Sequence, residues 1–245
     1  TAPSKAAVTW RDNTYVDRLY GGSFIVKNML ALDEAADSLG YWVASDIFEE
    51  HGLSQNPFSC TYGLLTNQGL PKSTANAFRL LAQLTGERLP LAGEPDNGTG
   101  HGYAATRDGA TLKLIAWHHP PLSEAGKHQP RKISVRLPAD GTKTWLVTRA
   151  HIRAGKGSPW ETWRELGLPN HLTPFETQAL RDAAEPERSL DLLNADAQGL
   201  AIEWSLAPYE VIFFNCRPQP PRAIGKGSDE KAWGELDEML NQRVR

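Results

Sequence analysis

Lysine and arginine form no cluster in this sequence, and cysteine occurs only twice. No apolar run approaches the ~20 residues that a membrane-spanning helix needs. Each shortage excludes something. Without a basic patch, and with a formal net charge of −3 at pH 7, nucleic acid and anionic membranes drop out as partners. Cys60 and Cys216 lie far apart in the chain; buried free thiols are preferred over a disulfide, and either state says little about redox compartment. The catalytic signatures H-E-x-x-H, G-x-S-x-G and G-x-x-x-x-G-K-[ST] are missing. His51, His101, His118, His119, His128, His151 and His171 have no metal-ligand spacing, so they read as satisfied or solvent-facing. The chain opens on Thr1 and has no signal-peptide pattern, which suggests numbering that starts inside a longer protein and leaves compartment unassigned.

What is present suits a globular protein. Hydrophobic residues make up 40% of the 245 positions and charged residues 22%, enough for one large or two modest domains. Eight tryptophans is a high count, and such rings either fill cores or stack on sugars. Residues 14–32 read as a helix with Tyr15, Leu19, Gly22, Val26, Met29 and Leu30 on one stripe and Asp17, Arg18 and Lys27 away from it. Within it, Gly21-Gly22 reads as a close packing contact rather than a phosphate cradle. Residues 40–45 form a short apolar run, as in a strand buried on both faces. Pro71 then opens a second helix carrying Ala75, Phe78, Leu81 and Leu84.

Beyond the Gly- and Pro-rich connection "LPLAGEPDNGTGHG", the apolar period changes to two. "TLKLIAW", "KISVRL", "TWLVTRAHI", "LAIEWSL" and "YEVIFFNC" read as strands of an antiparallel sandwich. Leu112, Leu114 and Ala116 should share one face, and so should Ile133, Val135 and Leu137. Consecutive His118 and His119 should face opposite ways, one in and one out. Ser158/Glu161 and Thr173/Glu176 both have capping-box spacing before short helices, in which Trp160 and Trp163 are expected to pack in a core. "RPQPPRAIGKG" reads as a linker, and "SDEKAWGELDEML" as a terminal amphipathic helix.

The stretch with the most chemistry is "YWVASDIFEEHG", residues 41–52, where an apolar run breaks into Asp46, Glu49 and Glu50. At the C-terminal end of a barrel strand such residues would face an active site. Neighbouring Glu49 and Glu50 make a poor acid/nucleophile pair, because adjacent side chains diverge; they serve better as acceptors for sugar hydroxyls. Helix capping or surface ion pairing is an equally good reading from residue types alone.

"YWVASDIFEE", followed by "YGLLTNQGLPKSTANAFRLLAQL", resembles the last strand, loop and helix of glycoside hydrolase family 39, which includes β-xylosidases and the more distant α-L-iduronidases. The xylosidase-type pattern is Y-W-x-x-S-D-x-F-E-E and then a G-[IL]-P-K-P-like helix start, matched in part by Gly69-Leu70-Pro71-Lys72. "IRAGKGSPWETWRELGLPNHLTPFETQAL" is similar to a segment of that family's C-terminal sandwich, and the likeness runs from about residue 8 to 217.

The resemblance implies an α/β plus all-β chain. Residues 1–87 would be the C-terminal end of a (β/α)8 (TIM) barrel, 88–217 an antiparallel β-sandwich, and 218–245 a linker and terminal helix. It also implies a retaining glycosidase acting on a xylose-containing oligosaccharide or related glycoside. The family's nucleophile motif, T-E-[FWY]-[NS], and its Asn-Glu acid/base do not occur here, so both are expected upstream of Thr1 and the chain alone should be inactive. Trp42 would pack against the terminal sugar, and Glu49 and Glu50 would accept its hydroxyls. No metal or organic cofactor is implied, since two carboxyl groups and water suffice. The alternatives are another family 39 specificity, iduronidase-like or exopolysaccharide-cleaving, and a non-catalytic carbohydrate-binding or assembly sandwich.

Overall fold

The computed structural model of the chain describes residues 14–33, 35–47, 56–59, 61–91, 100–122 and 128–219. Glu49, Glu50, Cys60 and the expected C-terminal helix lie outside these residues, with most of the linker before it.

The first helical segment is divided. A 3-10 turn at Thr14–Val16 precedes helix α1, Leu19–Leu32, and Arg18 between them is extended. Asp17 sits in this break and is fully buried, not displayed on the polar side of a continuous helix. A helical wheel cannot place a residue that stands before the helix begins. Helix α2, Ser73–Leu81, packs closely on α1. Gly21 and Gly22 permit this approach. A Cβ on Gly21 would stand 2.8 Å from Thr74 Cγ2, and one on Gly22 3.0 Å from the Ser73 carbonyl oxygen. The Gly22 N–H donates to Ser73 Oγ at 3.1 Å, and Ser73 Oγ donates to the Arg18 carbonyl at 2.7 Å.

The strands that follow are β1 (Glu87–Arg88), β2 (His101–Asp108), β3 (Thr111–His118), β4 (Arg131–Leu137), β5 (Thr144–Ile152), β6 (Glu187–Asn194), β7 (Leu200–Leu206) and β8 (Val211–Pro218). Helices α3 (Pro159–Glu165) and α4 (Pro174–Ala184) fall between β5 and β6. One antiparallel sheet has six strands in the order β1-β2-β3-β8-β5-β6, and a second pairs β4 with β7. Leu112, Leu114 and Ala116 from the large sheet meet Ile133, Val135 and Leu137 from the small one in a common core, so both expected trios keep their faces. Cys216, buried in the same core, is a free thiol pushed up to about 12 by burial.

The opposite face of the large sheet is covered too. Ile115, Trp117, Ile152 and Phe213 pack against Leu19 and Val26 of α1 and Leu80 of α2. This makes a three-layer arrangement: helices, six-stranded sheet, two-stranded sheet. It also corrects the expectation for the paired histidines. His118 and His119 are both buried, because neither face of the sheet at that end is open to water. His118 Nδ1 lies 3.3 Å from the Leu206 carbonyl of the small sheet, whereas His119 Nδ1 lies 2.9 Å from Ser23 Oγ of α1. Burial lowers the His118 pKa below its ordinary value, against the hydrogen bond to the Leu206 carbonyl that raises it.

The insertion joins the layers. Thr173 and Glu176 form the expected reciprocal capping box on α4. Ser158 and Glu161 do not. Ser158 Oγ donates to Glu161 Oε2 at 2.5 Å, and Glu161 Oε1 accepts from the Leu19 N–H at 3.0 Å, capping α1 from 142 residues away. The Glu161 carboxylate thereby satisfies one of the N–H groups that the first turn of α1 leaves without an intrahelical partner. Arg18 completes the junction with its guanidinium 4.2 Å from the Trp160 ring centroid. Trp160 and Trp163 sit in a small core with Phe58, Leu70 and Leu180, as core packing requires.

Candidate functional site

Residues 41–47 lack the two-sided burial expected of a central strand. Leu64 and Leu65 donate to the carbonyls of Val43 and Ala44 at 3.0 and 3.1 Å, and the Asp46 N–H donates to the Leu65 carbonyl at 2.9 Å. Ser45 and Leu65 thus form a parallel bridge, while Leu65 forms an antiparallel one with Pro71. Among the described residues the segment is paired along this one side. Its side chains alternate as a pleat demands. The Tyr41 ring turns inward, 5.5 Å from Phe78 of α2, whereas Trp42 is 64% exposed and Ala44 also faces outward; the alternation stops at Asp46, which is buried, and Ile47, which is exposed. The Trp42–Val43 peptide is cis.

Below this segment lies a buried charge cluster. Lys72, the residue before α2, is completely buried with its ammonium 2.5 Å from Asp17 Oδ1 and 2.8 Å from Asp46 Oδ2. Lys72 Nζ also donates to Asp46 Oδ1 and to the Thr61 carbonyl, each at 2.9 Å. The three N–H bonds of an ammonium therefore meet three acceptor groups. Burial alone would lower the Lys72 pKa; Asp17 and then Asp46 outweigh it and hold the ammonium above its ordinary value. Asp46 Oδ1 accepts a further bond from the Gly63 N–H at 2.8 Å. Gly63 is required by space: a Cβ there would lie 2.3 Å from the Asp46 nitrogen.

This cluster settles the role of one acid in the 41–52 stretch. Asp46 is 5% exposed and Asp17 fully buried, both committed to Lys72, so neither can reach a glycoside. Trp42 stands at the surface, and Glu49 and Glu50 lie outside the described residues. Among the described residues no group of three or more His, Cys, Asp or Glu side chains is arranged to hold a metal ion. The Asp17–Lys72 contact and the Glu161–Leu19 bond escape sequence reading. Lys72 had one signal, its place in the Gly69-Leu70-Pro71-Lys72 helix start; Asp17 had none.

The model for glycosyl hydrolases family 39 matches residues 6–196. A β-xylosidase of Caldicellulosiruptor saccharolyticus is 28% identical over 202 residues, covering 81% of this chain and 40% of that protein. A β-xylosidase of Geobacillus stearothermophilus is 23% identical over 157 residues, covering 64% of this chain and 29% of that one. The chain thus spans less than half the length of these curated relatives. Among solved structures, a monomeric β-xylosidase from Caulobacter crescentus CB15 aligns with a TM-score of 0.71 at 21% identity, over 84% of this chain and 42% of its own. The family 39 enzyme from Xanthomonas axonopodis pv. citri gives 0.69 at 20%, over 83% and 41%. At such identities these two establish a shared fold. The family match itself runs unbroken from before the buried Lys72 cluster, through both helices and the insertion, to the turn after β6, and on that extent the chain belongs to glycosyl hydrolases family 39.

Proposed function

We propose that this chain is the C-terminal part of a retaining, exo-acting glycosidase that releases terminal β-linked xylose. In this reading residues 1–87 complete a (β/α)8 barrel, 88–217 form the sandwich beside it, and 218–245 are a linker and terminal helix. One observation carries the proposal: an indole open to solvent, Trp42, heads the acidic run 46–50 in a family 39 chain whose relatives include β-xylosidases. An exposed indole offers a flat apolar surface to the C–H face of a pyranose, and Glu49 and Glu50 add carboxylate acceptors for its hydroxyls. These three residues form the wall of the subsite. The nucleophile and the acid/base are assigned to sequence upstream of Thr1, since the family's T-E-[FWY]-[NS] and Asn-Glu motifs do not occur in this chain.

The test is an NMR assay of an aryl β-xyloside with this chain and with the product of its complete reading frame. We expect no turnover from the chain alone and β-xylose as the first product of the complete protein. Turnover by the chain alone, or α-xylose appearing first, would overturn the proposal.

A further inference from the structure

We infer that a groove between β7 and the β5–β6 end of the large sheet binds a neutral oligosaccharide. It shares no residue with the subsite wall proposed above, and only the choice of xylose as its sugar rests on that reading. The groove follows from a mismatch in width. Two strands cannot cover the inner face of six, so part of that face opens beside β7. Along β5 the inward residues change character to suit. Trp145 and Val147 lie in the core between the sheets, and Arg149 and His151 continue the same face as polar groups. His151, Arg153 and Glu187 then face Lys132, Glu203 and Trp204 of the small sheet across a volume of about 640 Å3. Small-molecule sites enclose about 300–1,000 Å3.

Trp204 supplies the apolar surface. Phe214 and His151 meet its ring edge-on, each with centroids 6.1 Å away, and the Arg149 guanidinium carbon stands 4.5 Å from its centroid. A ring fixed in advance loses little freedom when a ligand lands on it. Its N–H is unused. The indoles of Trp145 and Trp163 donate to the carbonyls of Thr142 and Pro169, whereas Trp204 Nε1 donates to no described residue and is not sealed from solvent.

The charges decide what kind of ligand fits. Arg153 donates to both oxygens of Glu187, at 2.6 and 3.0 Å, and Lys132 stands 3.0 Å from Glu203. Arg149 is paired with Asp191, and His151 Nε2 lies 3.2 Å from Glu210. Each of these cations already has its anion, so a charged ligand of either sign would have to break a pair. A polyhydroxyl ligand need break none. Each Glu187 oxygen keeps a lone pair beyond the one that Arg153 uses. The Arg153 bonds also hold that carboxyl below its ordinary range, as an acceptor. Sugar hydroxyls can donate to Glu187 and accept from the Trp204 N–H, with C–H groups against the exposed part of the ring.

The test is a titration of the 245-residue chain with xylotetraose and, separately, with tetragalacturonate, followed through the indole N–H resonances by NMR. The Trp204 signal is the one that Trp204→Phe deletes, a change that keeps an aromatic ring against Phe214. We expect this signal to move saturably with xylotetraose and to stay in place with tetragalacturonate. Glu187→Ala, at the exposed rim, should weaken the xylotetraose midpoint about tenfold or more, as loss of a carboxylate–hydroxyl bond does. Trp42→Ala should leave the midpoint unchanged. A Trp204 signal that ignores xylotetraose, that follows tetragalacturonate equally, or that keeps its midpoint in Glu187→Ala would overturn the proposal. If the signal moves as expected while the complete protein cleaves no β-xyloside, the groove stands and the proposed function falls.

Discussion

At the residue scale the dominant feature is an ammonium sealed between two carboxylates. Replacing Lys72 with Met would leave Asp17 and Asp46 buried without their counter-charge, and removing one partner of such a cluster costs about 3–5 kcal/mol. Urea unfolding of Lys72→Met should show a loss of that order; an unchanged midpoint would mean that the cluster contributes nothing. Glu161 makes a different prediction. Burial raises its pKa above 4.5, against the hydrogen bonds from Ser158 and Leu19 that lower it. The folded state therefore holds the proton more tightly than the unfolded chain. Its contribution favours folding below the unfolded value and is lost as pH rises through the folded one. Glu161→Gln keeps an acceptor for Leu19 and cannot titrate. The stability of the unaltered protein relative to Glu161→Gln should accordingly fall as pH rises from about 4 to 8; a pH-independent difference would contradict this. Neither cluster was legible in the sequence. Asp46 and Lys72 are 26 positions apart and Leu19 and Glu161 are 142 apart, separations at which local spacing says nothing.

At the scale of elements, the α1–α2 contact depends on two missing side chains. A Cβ at Gly21 would meet Thr74 Cγ2 at 2.8 Å and the Val16 carbonyl oxygen at 2.9 Å, so the helices must separate to accept it. Overpacking of this kind costs about 1–3 kcal/mol. Gly21→Ala should lower the thermal midpoint despite the better helix propensity of alanine, and a raised midpoint would show that the contact is looser than its geometry. The strands differ in how plainly the sequence announces them. β3, β4, β5, β7 and β8 carry apolar residues into the shared cores, and their patterns were read from the sequence. β2, "HGYAATRD", went unread because alanine, glycine and threonine fill a face pressed close to other layers. β6 went unread for the opposite reason. Leu190 and Leu192 are 59% and 62% exposed, so two of its three leucines lie on the side that a burial pattern assigns to polar residues, and only Leu193 packs on the core. The 41–47 segment was legible as extended chain, but its open outer face was not, since an apolar run does not say what covers it.

At the scale of the whole molecule, two helices and a small sheet enclose a six-stranded sheet, and the insertion α3–α4 ties the layers together. Phe58 and Leu70 pack with Trp163 and Leu180 in one core, so the returning arm beyond residue 56 rests on the insertion. Asn76 of α2 binds the same insertion, donating to the Gly157 carbonyl at 3.0 Å and the Ala184 carbonyl at 2.7 Å. The central claim is that the acids beyond Asp46 line a sugar subsite and do not perform the chemistry. The most direct measurement is steady-state kinetics of the complete protein on an aryl β-xyloside, with and without azide, for Glu49→Ala and Glu50→Ala. A carboxylate–hydroxyl hydrogen bond contributes about 1.5–3 kcal/mol, so each variant should lose roughly ten- to two-hundredfold in kcat/KM and gain nothing from azide. Abolished turnover that azide restores, giving a glycosyl azide of inverted configuration, would make that glutamate the nucleophile and contradict its assignment to the subsite wall.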